Sequence, residues 1–164
     1  MGRGSVSETM PPRVIVIGCG NALRGDDAVG PEVIRRLQGG AIPAGITCID
    51  AGTAGIDVVL AAAGVDWLIV VDACVSGAPP GSVHVLAGEE VEQMPAAGIN
   101  LHSLRWDHAL ALARFRLGDQ FPERVTVVLV EGGTFGPGEA LTPAVDRGID
   151  QACGTIVALV ASSR

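Results

Sequence analysis

VIVIGCGNALRGDDAVGPEVIRRL, residues 14–37, is the stretch on which the fold turns. An apolar, β-branched run at 14–18 ends at Gly18 and Gly20, and a helical pattern follows over 29–38. Pro31 falls in the first turn of that helix, where its missing N–H is no loss. Strand, glycine turn and helix in that order open an α/β unit. Such a turn often cradles a phosphate at the helix N-terminus. Here two adjacent carboxylates, Asp26 and Asp27, stand where the phosphate would lie.

Working outward, two further runs have the continuous apolar character of strands buried on both faces: WLIVVDA at 67–73 and VTVVLVEG at 125–132. Shorter strands fit ITCID at 46–50 and SVHVL at 82–86. The second is entered through GAPPGS and is suited to an antiparallel or edge position. Helical patterns occupy roughly 54–64, 101–115 and the chain from 143 onward. The last has Thr142 as its N-cap, Pro143 at its first position, and Val145, Ile149, Cys153, Ile156 and Val160 at near-helical spacing. The order β-α-β-α-β-β-α-β-α predicts a three-layer α/β/α sandwich around a mostly parallel sheet of about five strands. Residues 1–12 read as a tail and 13–164 as one domain.

The chain has 164 residues, of which 48% are hydrophobic, enough to bury a sizeable core. Its eleven cationic residues are all arginines, and the net charge of −7 argues against a phosphate-tracking surface and hence against nucleic acid. No stretch is long and apolar enough to predict membrane insertion, and the first residues lack the apolar centre of a signal peptide. The expected compartment is the cytoplasm. Cys19, Cys48, Cys74 and Cys153 lack the close pairing of a zinc knuckle or dithiol centre and read as free thiols.

Ligands of open α/β sheets bind beyond the carboxyl ends of the strands. Three places there carry polar groups: Asn21, Asp26 and Asp27 after the first strand, Asp50 opening DAGTAG, and Asp72 directly after five apolar residues. A dinucleotide site would need a third glycine at position 23, which is Leu23, and two carboxylates would repel a pyrophosphate. A cation suits them better. Of the three histidines, His84 alternates along a strand and reads as a surface or satisfied side chain, and His108 reads as a packed helix residue. His102, in GINLHS, stands at a loop-to-helix junction. With Asp27 and Asp72 it makes a mixed oxygen and nitrogen set suited to nickel or zinc. Asp50 is a further candidate for orienting substrate, with N-capping of the 54–64 helix as the alternative. Asp26 reads as a turn or capping residue, Asn21 as fixing the loop through backbone hydrogen bonds, and Gly18 and Gly20 as serving tight backbone geometry that gives the loop room to approach substrate.

Taken in order, GCGNALRGDDAVGPEVIRRL, IDAGTAGID, LIVVDACVSGAPPGSVHVL and NLHSL resemble the hydrogenase maturation proteases. The resemblance runs from about residue 13 to the final helix. It implies a three-layer α/β fold and an endopeptidase that trims the C-terminal extension of the nickel-loaded large-subunit precursor of a nickel–iron hydrogenase. It also implies metal contact by two acids and a histidine, which fall on Asp27, Asp72 and His102. Nickel would come with the precursor, with zinc or cadmium as in-vitro occupants of the site. Asp27 stands where many members have glutamate, and Ala51 replaces the first glycine of the family's Asp-Gly-Gly-Thr motif. No serine, cysteine or threonine nucleophile has a matching base and acid here. Metal-polarised water attack and a carboxylate general base both remain open. The competing readings are a non-enzymatic nickel or assembly chaperone and a dinucleotide-binding protein.

Overall fold

A computed structural model describes residues 10–40, 42–92 and 106–163. The elements run β1 (Val14–Cys19), α1 (Val29–Gly39), β2 (Ile46–Gly52), α2 (Ile56–Ala61), β3 (Trp67–Cys74), β4 (Val83–Ala87), α3 (Gly88–Glu92), α4 (Trp106–Leu117), β5 (Arg124–Glu131) and α5 (Pro143–Ala161). The strands form one sheet in the order β2-β1-β3-β5-β4. All neighbours are parallel except β4, which runs antiparallel to β5 at the edge. This is the expected α/β architecture. Short α3 was not anticipated, α2 is shorter than predicted, and the first residues of the predicted 101–115 helix, His102 included, lie outside the described residues.

The sheet buries both faces, which is why β1, β3 and β5 read as unbroken apolar runs rather than alternating ones. On one face Val14, Val16, Ile69, Val71, Val128 and Val130 pack against α1 and α5. On the other, Ile17, Leu68, Val70, Val127 and Leu129 pack against α2 and α4, with Trp106 almost fully buried among them. The stripe predicted for α5 is real: Val145, Ile149, Ile156 and Val160 are buried, with Cys153 half-buried beside them. Arg36 ties α1 to α5 through Asp146 and Asp150 while also bonding Glu32 within α1.

From β1 the chain crosses through α1 to β2 on one side, then returns through α2 to β3 on the other. The β1–β3 seam is therefore the topological switch point, where the connections diverge and leave a crevice beyond the strand ends. Among the described residues no helix is long and apolar enough to cross a membrane.

Candidate active site

The loop after β1 enters the crevice through Gly20, whose φ of 132° is accessible only to glycine without strain. A Cβ there would lie 2.0 Å from the Asp27 carbonyl oxygen and 3.6 Å from Asp72 Oδ1. The Gly20 N–H donates to the Gly52 carbonyl at 2.9 Å, tying the loop to the end of β2. Next, the Asn21 N–H donates to Asp27 Oδ2 at 3.1 Å, and Asn21 Oδ1 accepts from the Leu23 N–H at 2.9 Å. Asn21 thus braces the loop, with Asp27 accepting its N–H from the 3-10 turn Gly25–Ala28 and Asp72 Oδ1, at the end of β3, 3.6 Å from where a Cβ on Gly20 would stand. Both acids are half-buried.

Gly18 serves another purpose. A Cβ on it would stand 2.3 Å from the Gly30 carbonyl oxygen, and one on Gly30 would stand 2.0 Å from that of Cys19. The two glycines let α1 lie directly on the end of β1. The single-turn 3-10 helix Gly25–Ala28 occupies the stretch between the glycine turn and α1, and it carries the carboxylates of both Asp26 and Asp27.

Asp26 turns the opposite way from Asp27 and is fully buried. Its Oδ2 accepts from the N–H groups of Gly133 at 2.8 Å and Thr134 at 3.0 Å, and from the Thr142 hydroxyl at 3.1 Å. Oδ1 accepts the Thr142 N–H at 2.8 Å. Burial acts to raise the Asp26 pKa, but these four donors outweigh it and hold the carboxyl below its ordinary range. Reading Asp26 as a turn or capping residue of its own loop is therefore corrected: it anchors the β1 loop to the β5–α5 connection. Backbone bonds complete the seam, among them Asp26 N–H to the Thr134 carbonyl at 2.8 Å and Gly138 N–H to that of Leu23 at 2.8 Å. Thr142 does occupy the N-cap position of α5, yet its hydroxyl serves Asp26 instead of capping the helix.

Asp50 is exposed, and its Oδ1 accepts the Gly52 N–H at 2.8 Å. It does not cap α2, which begins after Gly55 with no side-chain cap. Asp50 instead borders a cavity of about 500 Å³ that also touches Ala22, Pro31, Glu32, Gln38 and Leu141. Ala51, the departure from the family motif, is an ordinary buried strand residue, and the left-handed backbone falls on Gly52, with φ of 50°. Cys19 lies among the acids: burial, then the charges of Asp72, Asp50 and Asp57, pushes its thiol up to about 12, so it stays protonated at neutral pH.

Two groups were not read as site residues in the sequence. Glu131, at the end of β5, is 2% exposed and accepts the N–H groups of Ser76 (2.7 Å) and Gly77 (2.9 Å) on Oε1. Its Oε2 accepts the Ser76 hydroxyl at 2.7 Å and the Cys74 thiol at 3.2 Å. Burial favours the neutral acid, yet the donors of Ser76, Cys74 and Gly77 prevail and hold Glu131 at about 2. The signal was present: an acid directly after an apolar strand, as at Asp72. His84 is the second. It is neither simply exposed nor satisfied, because its Nε2 is buried without a hydrogen-bond partner, 3.7 Å from Glu131 Oε2.

An open, mostly parallel α/β sheet with two acids bordering the glycine turn at its switch point defines a three-layer α/β protein with acids at the crevice. Residues 31–159 match the family described as hydrogenase maturation protease. Over 153 residues the chain is 33% identical to the hydrogenase 2 maturation protease of Escherichia coli K12, covering 92% of each sequence. It is 31% identical over 155 residues to a putative hydrogenase maturation protease of Methanocaldococcus jannaschii, covering 87% of this chain and 96% of the relative. The solved structure of the hydrogenase maturating endopeptidase HybD from E. coli superposes with a TM-score of 0.80 at 33% identity, over 92% of this chain and 93% of that one. The chain belongs to the hydrogenase maturation protease family, and its activity is that of an endopeptidase.

Proposed function

We propose that this endopeptidase removes the C-terminal extension of a nickel-loaded hydrogenase large-subunit precursor in the cytoplasm, with Asp27, Asp72 and His102 as the groups that meet the substrate's metal. The supporting observation is that Asp27 and Asp72, 45 residues apart in sequence, both border the Gly20 turn at the switch point of the sheet: Asp27 accepts the Asn21 N–H, and a Cβ on Gly20 would stand 3.6 Å from Asp72 Oδ1. Carboxylates are hard oxygen donors, and adding an imidazole suits a borderline divalent ion such as nickel. Nickel in this reading is cargo that arrives with the precursor, and bound there it would polarise the scissile carbonyl toward water.

The rest belongs to the chain. Gly20 brings the Asn21 N–H to Asp27, which fixes that carboxylate's direction. Asp72 is fixed by its place at the end of a central strand, paired with Leu129 of β5. Leu23 and Val75 project from the loops after β1 and β3, each 76% exposed, and form apolar surface against which an extended peptide can pack. Asp50 and its cavity are assigned to orienting the substrate.

Incubating the protein with a nickel-loaded precursor and weighing the products tests the reading. Loss of a C-terminal peptide is expected, and it should require nickel. An unchanged precursor mass in a stable complex would identify a nickel or assembly chaperone instead.

A further inference from the structure

Three adjacent strands, β3, β5 and β4, bring Cys74, Glu131 and His84 to one corner of the sheet. Cys74 and Glu131 are direct partners in the β3–β5 register, and His84 pairs with Leu129, two residues before Glu131. Strand side chains alternate between faces, so this placement puts all three on the face that carries α2 and α4. Their ligand atoms all lie within 4.8 Å of one another, the one such set of three His, Cys, Asp or Glu groups among the described residues.

The separations are informative. His84 Nε2 stands 3.7 Å from Glu131 Oε2, and Cys74 Sγ stands 3.2 Å from the same oxygen. A nitrogen 3.7 Å from a carboxylate is too far for a hydrogen bond. Nitrogen, sulfur and oxygen ligands around a tetrahedral zinc ion, at bond lengths of about 2.0–2.3 Å, are spaced roughly 3.4–3.6 Å apart. The corner is therefore close to ligand spacing while leaving a buried Nε2 without a partner.

Glu131 is also oriented for such a role. Two backbone N–H groups, of Ser76 and Gly77, hold Oε1, and the Ser76 hydroxyl steadies Oε2 on the side of Cys74 and His84. That is the outer-shell support which aims a ligating carboxylate. Among the described residues the only Arg, Lys or His nitrogen within 4.0 Å of this carboxylate is Nε2 of His84.

We propose that Cys74, His84 and Glu131 form a second metal site, with ligands distinct from Asp27 and Asp72, that takes a zinc-type divalent cation. Binding replaces the S–H bond of Cys74 with a sulfur–metal bond and releases one proton to solvent. The filled site then holds a dication, a thiolate, a carboxylate and a neutral imidazole, so its net charge is zero. The His84 side chain is 37% exposed, so the corner lies near the surface, and three protein ligands leave the fourth position of a tetrahedral ion to water or another ligand. The inference does not depend on how the peptide is cleaved.

Cobalt(II), titrated into the full chain, is the direct probe, because thiolate ligation produces a charge-transfer absorption that carboxylate and imidazole alone do not. The expected result is one equivalent of cobalt with that band, displaced by zinc, in both the wild type and Asp72→Asn. The band should vanish in Cys74→Ser, persist in Cys19→Ser, and require roughly tenfold or more cobalt in His84→Ala. No thiolate band in the wild type, or an undiminished one in Cys74→Ser, would overturn the assignment. Circular dichroism of each variant separates lost ligation from lost fold.

Discussion

The loop after β1 and the loop after β3 each sit beside a proposed catalytic acid, and each is pinned by a buried carboxylate, but the pins are built in opposite ways. In the first loop the pin is its own Asp26, reaching across to Gly133, Thr134 and Thr142. In the second it is Glu131 of a neighbouring strand, reaching over to Ser76 and Gly77. Asp72 belongs to a central strand and keeps its place through sheet register, whereas Asp27 keeps its place through a loop docked on a distant connection. The two acids should therefore respond very differently when their surroundings are disturbed.

The largest effect is expected at Asp72 itself. Asp72→Asn should abolish release of the C-terminal peptide from precursor while leaving the thermal midpoint close to that of the wild type; cleavage at the normal rate would remove Asp72 from the chemistry. Gly20→Ala comes next, since it places a Cβ 2.0 Å from the Asp27 carbonyl oxygen at a φ of 132°. It should cost about 3 kcal/mol in denaturant unfolding and depress cleavage beyond that loss.

Asp26→Ala strips the acceptor from three partly buried N–H groups and should cost about 1–2 kcal/mol. Cleavage should fall at temperatures where the variant is still folded, because the loop carrying Asp27 is released. If activity survives intact, the contrast between the two loops is wrong.

Glu131 sharpens the comparison through pH. Its folded pKa of about 2 lies below the ordinary 4.5, so the carboxylate contributes stability above pH 4.5 that is lost as pH falls toward 2. The stability gap between wild type and Glu131→Gln should therefore be widest near neutrality and close across that window. Asp26, also lowered, should show the same sign against Asp26→Asn. The smallest effect belongs to Arg36→Ala, remote from both loops. Removing its partly exposed network with Glu32, Asp146 and Asp150 should cost about 1 kcal/mol and leave cleavage unchanged.

Much of this was legible in the chain because the sheet is buried on both faces, so its three central strands announce themselves as unbroken apolar runs ending at polar residues. The α5 stripe and the antiparallel edge strand were readable for the same reason. Resemblance implied metal contact by Asp27 and Asp72 and set Asp27 apart from Asp26; geometry then showed what Asp26 holds, which local sequence could not do. Asp26 has its partners 107 to 116 residues away, and no local pattern encodes a contact of that range. Glu131 and His84 were missed for a related reason. His84 looks ordinary on its own strand, and Glu131, though an acid at a strand end, meets it only because β5 lies between β3 and β4.

The reach of Asp26 also bears on the order of events in folding. A contact that closes so long a stretch of chain forms only after the intervening strands have assembled, and such distant pairings are slow. During synthesis, Asp27's loop lacks its anchor until residues 133–142 have emerged. A nascent or truncated chain would then hold both acids yet not the arrangement that joins them, so hydrolytic competence would come last, with docking of the C-terminal helix.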